Sequence, residues 1–241
     1  MSRTVEVLPD KTALVARAED LIGDRIAQTL SQRDYCTLAL AGGSTPKPLY
    51  EALARRDLPW EKIHIFWGDE RYVPPTHPDS NENMARTAWL NHVPMPPANI
   101  HAMPTQGGDP QTDADRHDAH LREFFPTAPG GFPQFDIILL GMGDDGHTAS
   151  LFPHTAALGV GDRLITVGNK DGQPRLTFTV PLLNHAQLIL FLVAGASKQT
   201  ALNAVFAPDG DAQQYPSRLI QPAGEALWLL DQAAAAGVAI A

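Results

Sequence analysis

His147 is the residue best suited to chemistry at neutral pH, because an imidazole titrates near 6.5 and can take or return a proton there. It lies in the stretch Phe135–Pro153, FDIILLGMGDDGHTASLFP, behind Asp144 and Asp145 and among Gly141, Gly143 and Gly146. A carboxylate two residues from an imidazole can orient that ring or hold a substrate hydroxyl, so Asp145 joins His147 as a catalytic candidate. The backbone N–H groups of the Gly141–Gly146 loop are candidate donors to a developing oxyanion. Three further clusters carry binding chemistry. Gly42-Gly43-Ser44-Thr45 offers a flexible turn and two hydroxyls ahead of Pro46, at what reads as a helix start. Asp69-Glu70-Arg71 offers an acceptor for sugar hydroxyls and a forked donor for phosphate. Lys198 follows Gly195 at another helix start, where a cation opposes the helix dipole unless an anion sits between them.

Each cluster directly follows a short apolar run: Cys36–Leu40, Ile63–Trp67, Ile137–Leu140 and Leu188–Ala194. Such runs, bounded by glycine, read as strands buried on both faces of a parallel sheet. Open α/β sheets bind ligands at the carboxyl ends of their strands, so four clusters placed there can share one site. Gly141-x-Gly143-x-x-Gly146 also spells a dinucleotide fingerprint. That reading fails on context. The fingerprint needs a long helix after its third glycine, and Pro153 arrives seven residues later, while Asp144 and Asp145 would repel a pyrophosphate.

The rest of the chain supplies the frame. Thr4–Leu8 reads as a strand, Asp10 as a helix cap, and Leu14, Ala18, Leu21, Ile22, Ile26 and Leu30 as the buried stripe of a helix. Helices are expected over 83–90 and 113–125, strands over 164–167, 175–180 and 226–230, a turn over 181–184, and a terminal helix capped by Asp231. His117 and His120 lie three apart on the second of those helices and read as part of its solvated face, without a third ligand for a metal. Strands and helices alternate throughout, which gives an α/β fold with a mainly parallel sheet covered by helices on both faces.

The 241 residues fit one domain, 1–241, and the 44% hydrophobic content supports a full core. A net charge of −9 argues against nucleic acid or an anionic membrane surface as partner, and an anionic ligand must be drawn in by a local group of Arg and Lys. The single cysteine, Cys36, excludes an intrachain disulfide and a cysteine-based metal site. No apolar run is long enough for a membrane span and the start has no signal-like core, so a cytoplasmic protein is expected. Oligomeric state, monomer or small homo-oligomer, is not encoded legibly.

GMGDDGHTASLFP, AGGSTPKPLY, FWGDERYVP, DSNENMAR and RLTFTVPLLN together closely resemble the 6-phosphogluconolactonases of the glucosamine-6-phosphate isomerase/6-phosphogluconolactonase family. The likeness weakens over 95–133 and after 207. It implies a Rossmann-like fold, no cofactor and no metal, and hydrolysis of 6-phospho-D-glucono-1,5-lactone, a small sugar phosphate, in the oxidative branch of the pentose phosphate pathway. It also implies that His147 is the general base and that Arg71 and Lys198 face the phosphate, with Gly42, Gly43, Ser44, Thr45, Asp69 and Gly143 forming the rest of the substrate site. The related deaminases continue with Phe-Asn-Glu-Pro where this chain has Ser150-Leu151-Phe152-Pro153, which favours the lactonase over a deaminase or isomerase. A non-turnover sugar-phosphate sensor is the remaining alternative, and it has no use for His147 beside Asp145. No serine sits in a GxSxG elbow, so water rather than a serine is the expected nucleophile.

Overall fold

The computed structural model describes residues 3–128 and 130–239. Its frame is a six-stranded sheet made of β1 (Arg3–Leu8), β2 (Cys36–Leu40), β3 (Ile63–Trp67), β5 (Ile137–Leu140), β8 (Leu188–Val193) and β9 (Glu225–Asp231). The spatial order is β1-β9-β8-β5-β2-β3, and every neighbouring pair is parallel. The expected Rossmann-like α/β architecture is therefore present.

Both faces of this sheet are buried, with strict alternation. Ile138, Leu140, Ile189, Phe191, Trp228 and Leu230 enter one core, and Ile137, Leu139, Leu188, Leu190 and Leu229 enter the other. The second core is closed by α1 (Lys11–Leu30), α2 (Lys47–Leu53) and α3 (Asn81–Ala88). The first is closed by α4 (Pro110–Phe124), α5 (Val180–Asn184), α6 (Gln199–Phe206) and α7 (Gln232–Ala235). The helix starts follow the capping chemistry of the sequence: Asp10 accepts from the Ala13 N–H at 2.8 Å, and Asp231 from that of Ala234 at 2.7 Å. Among the described residues, no helix is long and apolar enough to cross a membrane.

The structure departs from the sequence reading in three places. Asp69–Arg71 forms a strand, β4, which the sequence reading did not assign. It joins β6 (Ile165–Lys170) and β7 (Gln173–Phe178) in a separate antiparallel sheet of order β4-β7-β6, packed on the first core through Leu176 and Phe178. Residues 181–184 lie in the short helix α5, which Thr179 caps and in which Pro181 occupies the first turn. The third departure concerns α4. His117 is buried, 1% exposed, and not on a solvated face. It belongs to a histidine row: His64 Nδ1 lies 2.9 Å from His101 Nε2, His101 Nδ1 lies 2.9 Å from His120 Nε2, and the His120 and His117 rings are 5.8 Å apart. Phe66 stacks on His101 at 4.3 Å and Phe124 packs edge-on to it at 4.8 Å, so these imidazoles behave as aromatic packing.

Burial disfavours the charged form of three members of this row, His64, His101 and His117. It pushes His117 down to about 3, with the neighbouring His120 and His101 adding to the effect, pushes His101 down to about 4, and lowers His64. The unfolded chain protonates these groups below about pH 6.5 while the folded chain does not. Their contribution to stability is therefore complete above about 6.5 and is lost as pH falls toward 4 and then 3, at about 1.4 kcal/mol per pH unit for each extra proton bound by the unfolded chain. Thermal unfolding followed from pH 7.5 to 5 should show a falling midpoint, and His117→Leu should soften that fall. Equal steepness in the two proteins would count against the row as its source.

Candidate active site

The sheet reverses its winding between β2 and β5. The chain leaves β2 toward β3 on one side and leaves β5 toward β8 on the other, so the two exits diverge and open a crevice at their carboxyl ends. A cavity of about 270 Å³ occupies that crevice, toward the small end for small-molecule sites. Gly42, Gly43, Ser44, Thr45, Asp69, Arg71, Gly143, His147 and Lys198 all line it, so nine of the ten candidates from the sequence meet in one place.

The tenth, Asp145, stands behind the imidazole. Its Oδ1 lies 2.5 Å from His147 Nδ1 and accepts the His147 backbone N–H at 3.1 Å. The hydrogen bond from His147 holds the Asp145 carboxyl at about 2, so it is ionised and fixes Nδ1 as the protonated nitrogen. Nε2 is then the basic nitrogen. Phe152 packs against the ring at 4.6 Å between centroids. Gly143 is required by the same contact: a Cβ there would fall 2.1 Å from His147 Nδ1 and 2.5 Å from Asp145 Oδ1. After Gly146 the chain runs through a tight bridge between Thr148 and Leu151, not a helix, in keeping with the rejection of a dinucleotide site.

Two N–H groups of the glycine loop are already bonded within the loop. The N–H of Gly143 donates to the His147 carbonyl at 2.9 Å, and that of Gly146 to the Gly143 carbonyl at 3.0 Å. These bonds hold the imidazole in place, and with the His147 N–H bound to Asp145 they remove three donors from any oxyanion role. The N–H groups of Gly141, Met142, Asp144 and Asp145 in this loop, and those of Gly42, Gly43, Ser44 and Thr45 in the other turn, have no main-chain acceptor among the described residues.

The cations face this turn. Lys198 Nζ lies 2.6 Å from Asp144 Oδ1, and this bond pulls the Asp144 carboxyl below its ordinary range. The two adjacent aspartates thus divide their work: Asp144 tethers Lys198 and Asp145 orients His147. Arg71 donates from Nη1 to the Asp79 carbonyl, and its buried Nε has no partner among the described residues. Arg175 is a cavity residue that the sequence reading missed. Its only trace there was as the first residue of an alternating strand. In the structure it sits on β7 directly opposite Arg71 on β4. Burial first, and Arg71 second, lower the Arg175 pKa. Like charges opposed across a strand pair destabilise it, and a dianion between them would reverse the sign. Asp69, 7% exposed, is steadied by the Ser150 hydroxyl at 2.6 Å, so a wall residue from the central loop also fixes the acceptor expected to meet a sugar.

A histidine–carboxylate pair and three cations at the carboxyl edge of a parallel sheet define the class: an α/β enzyme site for a small anionic substrate. Residues 9–228 match the family described as glucosamine-6-phosphate isomerases/6-phosphogluconolactonase, and the chain belongs to it. It is 62% identical to a 6-phosphogluconolactonase of a Nostoc species, over the full length of both chains. It is 63% identical to that of a Synechocystis species, over 97% of this chain and 98% of the relative. The solved 6-phosphogluconolactonase of Trypanosoma brucei superposes with a TM-score of 0.87 at 30% identity, covering 99% of each chain.

Inorganic phosphate should bind this crevice competitively with any sugar phosphate, and Arg175→Ala should weaken it about tenfold to a hundredfold, the range for one charge-assisted bond. Calorimetric titration of the two proteins measures this, and an unchanged Kd would remove Arg175 from the anion site.

Proposed function

We propose that this chain hydrolyses 6-phospho-D-glucono-1,5-lactone to 6-phospho-D-gluconate, the lactonase step of the oxidative branch of the pentose phosphate pathway. The observation that carries the reading is the shared cavity: an imidazole with a fixed basic nitrogen lies in the same 270 Å³ space as Arg71, Arg175 and Lys198. A phosphorylated lactone of one ring matches both ends of that space.

In this reading the phosphate is held between the Gly42–Thr45 turn, Lys198 and the arginine pair, which fixes the ring and brings its carbonyl to His147. A water oxygen adds to C1 as its proton passes to His147 Nε2. Asp145, already ionised, stabilises the imidazolium through Nδ1. The tetrahedral centre then collapses, the bond from C1 to the ring oxygen breaks, and the imidazolium returns its proton to that oxygen. The new acid ionises in solution. A lactone is an activated ester, so this sequence needs no covalent enzyme intermediate. Asp69, held by Ser150, supplies an acceptor for a ring hydroxyl.

Lactone hydrolysis, corrected for the spontaneous reaction, should fall in kcat by about a hundredfold to ten-thousandfold in His147→Ala, the span of a general-base contribution. Arg71→Ala should act mainly on KM. Near-wild-type turnover in His147→Ala would exclude the imidazole from the mechanism, and failure of the unaltered protein to accelerate the lactone would overturn the functional reading.

A further inference from the structure

Asn81 opens α3 and is 1% exposed, yet its Oδ1 is buried with no hydrogen-bond partner among the described residues. Its orientation is set by the other end of the amide. Nδ2 donates to the main-chain carbonyl of Asp69 at 2.9 Å and faces Asp69 Oδ1 at 3.5 Å, so both groups around it are acceptors. A flipped amide would put oxygen against oxygen there. Oδ1 is thereby aimed across the crevice wall at Gly42. A Cβ on Gly42 would lie 1.9 Å from Asn81 Oδ1 and 2.4 Å from its Cγ. Gly42 does not have the positive φ that makes a glycine conformationally necessary, in contrast to Gly43 at +97°. Its lack of a side chain is therefore explained by the approach of Asn81.

The residue behind this contact is rigid. Glu70, 3% exposed, accepts the N–H groups of Arg71 at 2.8 Å, Asn81 at 2.7 Å and Glu82 at 2.7 Å, and the Ser80 hydroxyl at 3.1 Å. One buried carboxylate thus ties β4 to the start of α3, and Asn81 projects from that junction onto the turn. A buried unpaired carbonyl oxygen is normally selected against, at about 1–3 kcal/mol. Its position between two walls of the cavity gives it a use.

We infer that Asn81 is a positioning residue: its amide sets the spacing between the Gly42–Thr45 turn and β4, and so the width of the slot that receives the phosphate end of the substrate. This rests on the reading that the turn and the arginines hold a phosphate. Asn81 acts through Gly42 on one side and through Asp69 and Arg71 on the other, without forming a bond to the reacting carbonyl.

The test is a double-mutant cycle of Gly42→Ala and Asn81→Ala, with KM and kcat measured on the phosphorylated lactone and on unphosphorylated glucono-1,5-lactone. Gly42→Ala should raise KM for the phosphorylated lactone tenfold or more and change kcat less than KM. In the Asn81→Ala background the same Gly42→Ala change should cost less than threefold, because the oxygen it would strike is gone. The preference for the phosphorylated over the unphosphorylated lactone should fall in both single variants. Multiplicative effects in the double variant, or equal losses on both lactones, would overturn the inference. Should Gly42→Ala not fold, Asn81→Ala alone decides, through loss or retention of that preference. If the unaltered protein hydrolyses neither lactone, the function falls rather than the slot, and the same cycle read as inorganic phosphate affinity still tests the coupling.

Discussion

Everything in this molecule depends on the divergence of two adjacent parallel strands. β2 and β5 pair in register, Leu38 beside Ile137 and Ala39 beside Ile138, and then send the chain to opposite sides of the sheet. Between such exits no crossover can cover the strand ends, so a crevice remains whatever residues line it. What the sequence adds is glycine at both exits. At Gly143 it makes room for the imidazole, and at Gly42 for an amide from another element. The strands below are apolar on both faces, so neither exit can shift without moving two cores.

The site is electrostatically costly when empty. A chain of net charge −9 gathers Arg71, Arg175 and Lys198 around one small cavity, and two of these are directly opposed across a strand pair. Of the three, only Lys198 has a carboxylate partner among the described residues, Asp144, which is mostly exposed and can yield to a stronger anion. Among the described residues, the Arg71 Nε and the N–H groups of the Gly42–Thr45 turn are left without protein partners. Stability alone would favour closing those gaps. A ligand with three or more acceptor oxygens explains why they stay open and why they lie together, because donors fixed before binding need no rearrangement during it.

How far this was legible in the sequence follows from how local each signal is. The four apolar runs and their glycine exits are contiguous in the chain, so the parallel sheet, its carboxyl edge and the meeting of nine named residues could be read directly. Arg175 could not, because its place opposite Arg71 is set by β4–β7 register between segments about a hundred residues apart. The same distance hid β4 itself: three charged residues after a strand look like a turn until an antiparallel partner is in place. His117 was misjudged because residue type was taken for environment. Its ring packs on that of His120, which bonds His101, which in turn stacks on Phe66, and no helical periodicity distinguishes such a buried row from a polar face. The roles of Asp144 and Asp145 are separated only by side-chain direction, which adjacency in sequence leaves undetermined.

The pairing of His147 with Asp145 also explains why the N–H groups of Gly143 and Gly146 bond within the loop. A short loop holding an imidazole by one carboxylate alone would let the ring swing about that bond. Closing the loop through Gly143 N–H to the His147 carbonyl, and Gly146 N–H to the Gly143 carbonyl, fixes the main chain under the ring. The Thr148 hydroxyl adds a bond to the Gly141 carbonyl at 2.8 Å, tying the loop back to the end of β5. The N–H groups of Gly143, Gly146 and His147 are thereby committed to rigidity at the base rather than to an oxyanion. Unbonded donors remain at Gly141 and Met142 on the cavity side of this loop and along the Gly42–Thr45 turn. The division is chemically coherent: proton transfer tolerates little movement of the base, whereas a phosphate or oxyanion can be met by any of several convergent donors.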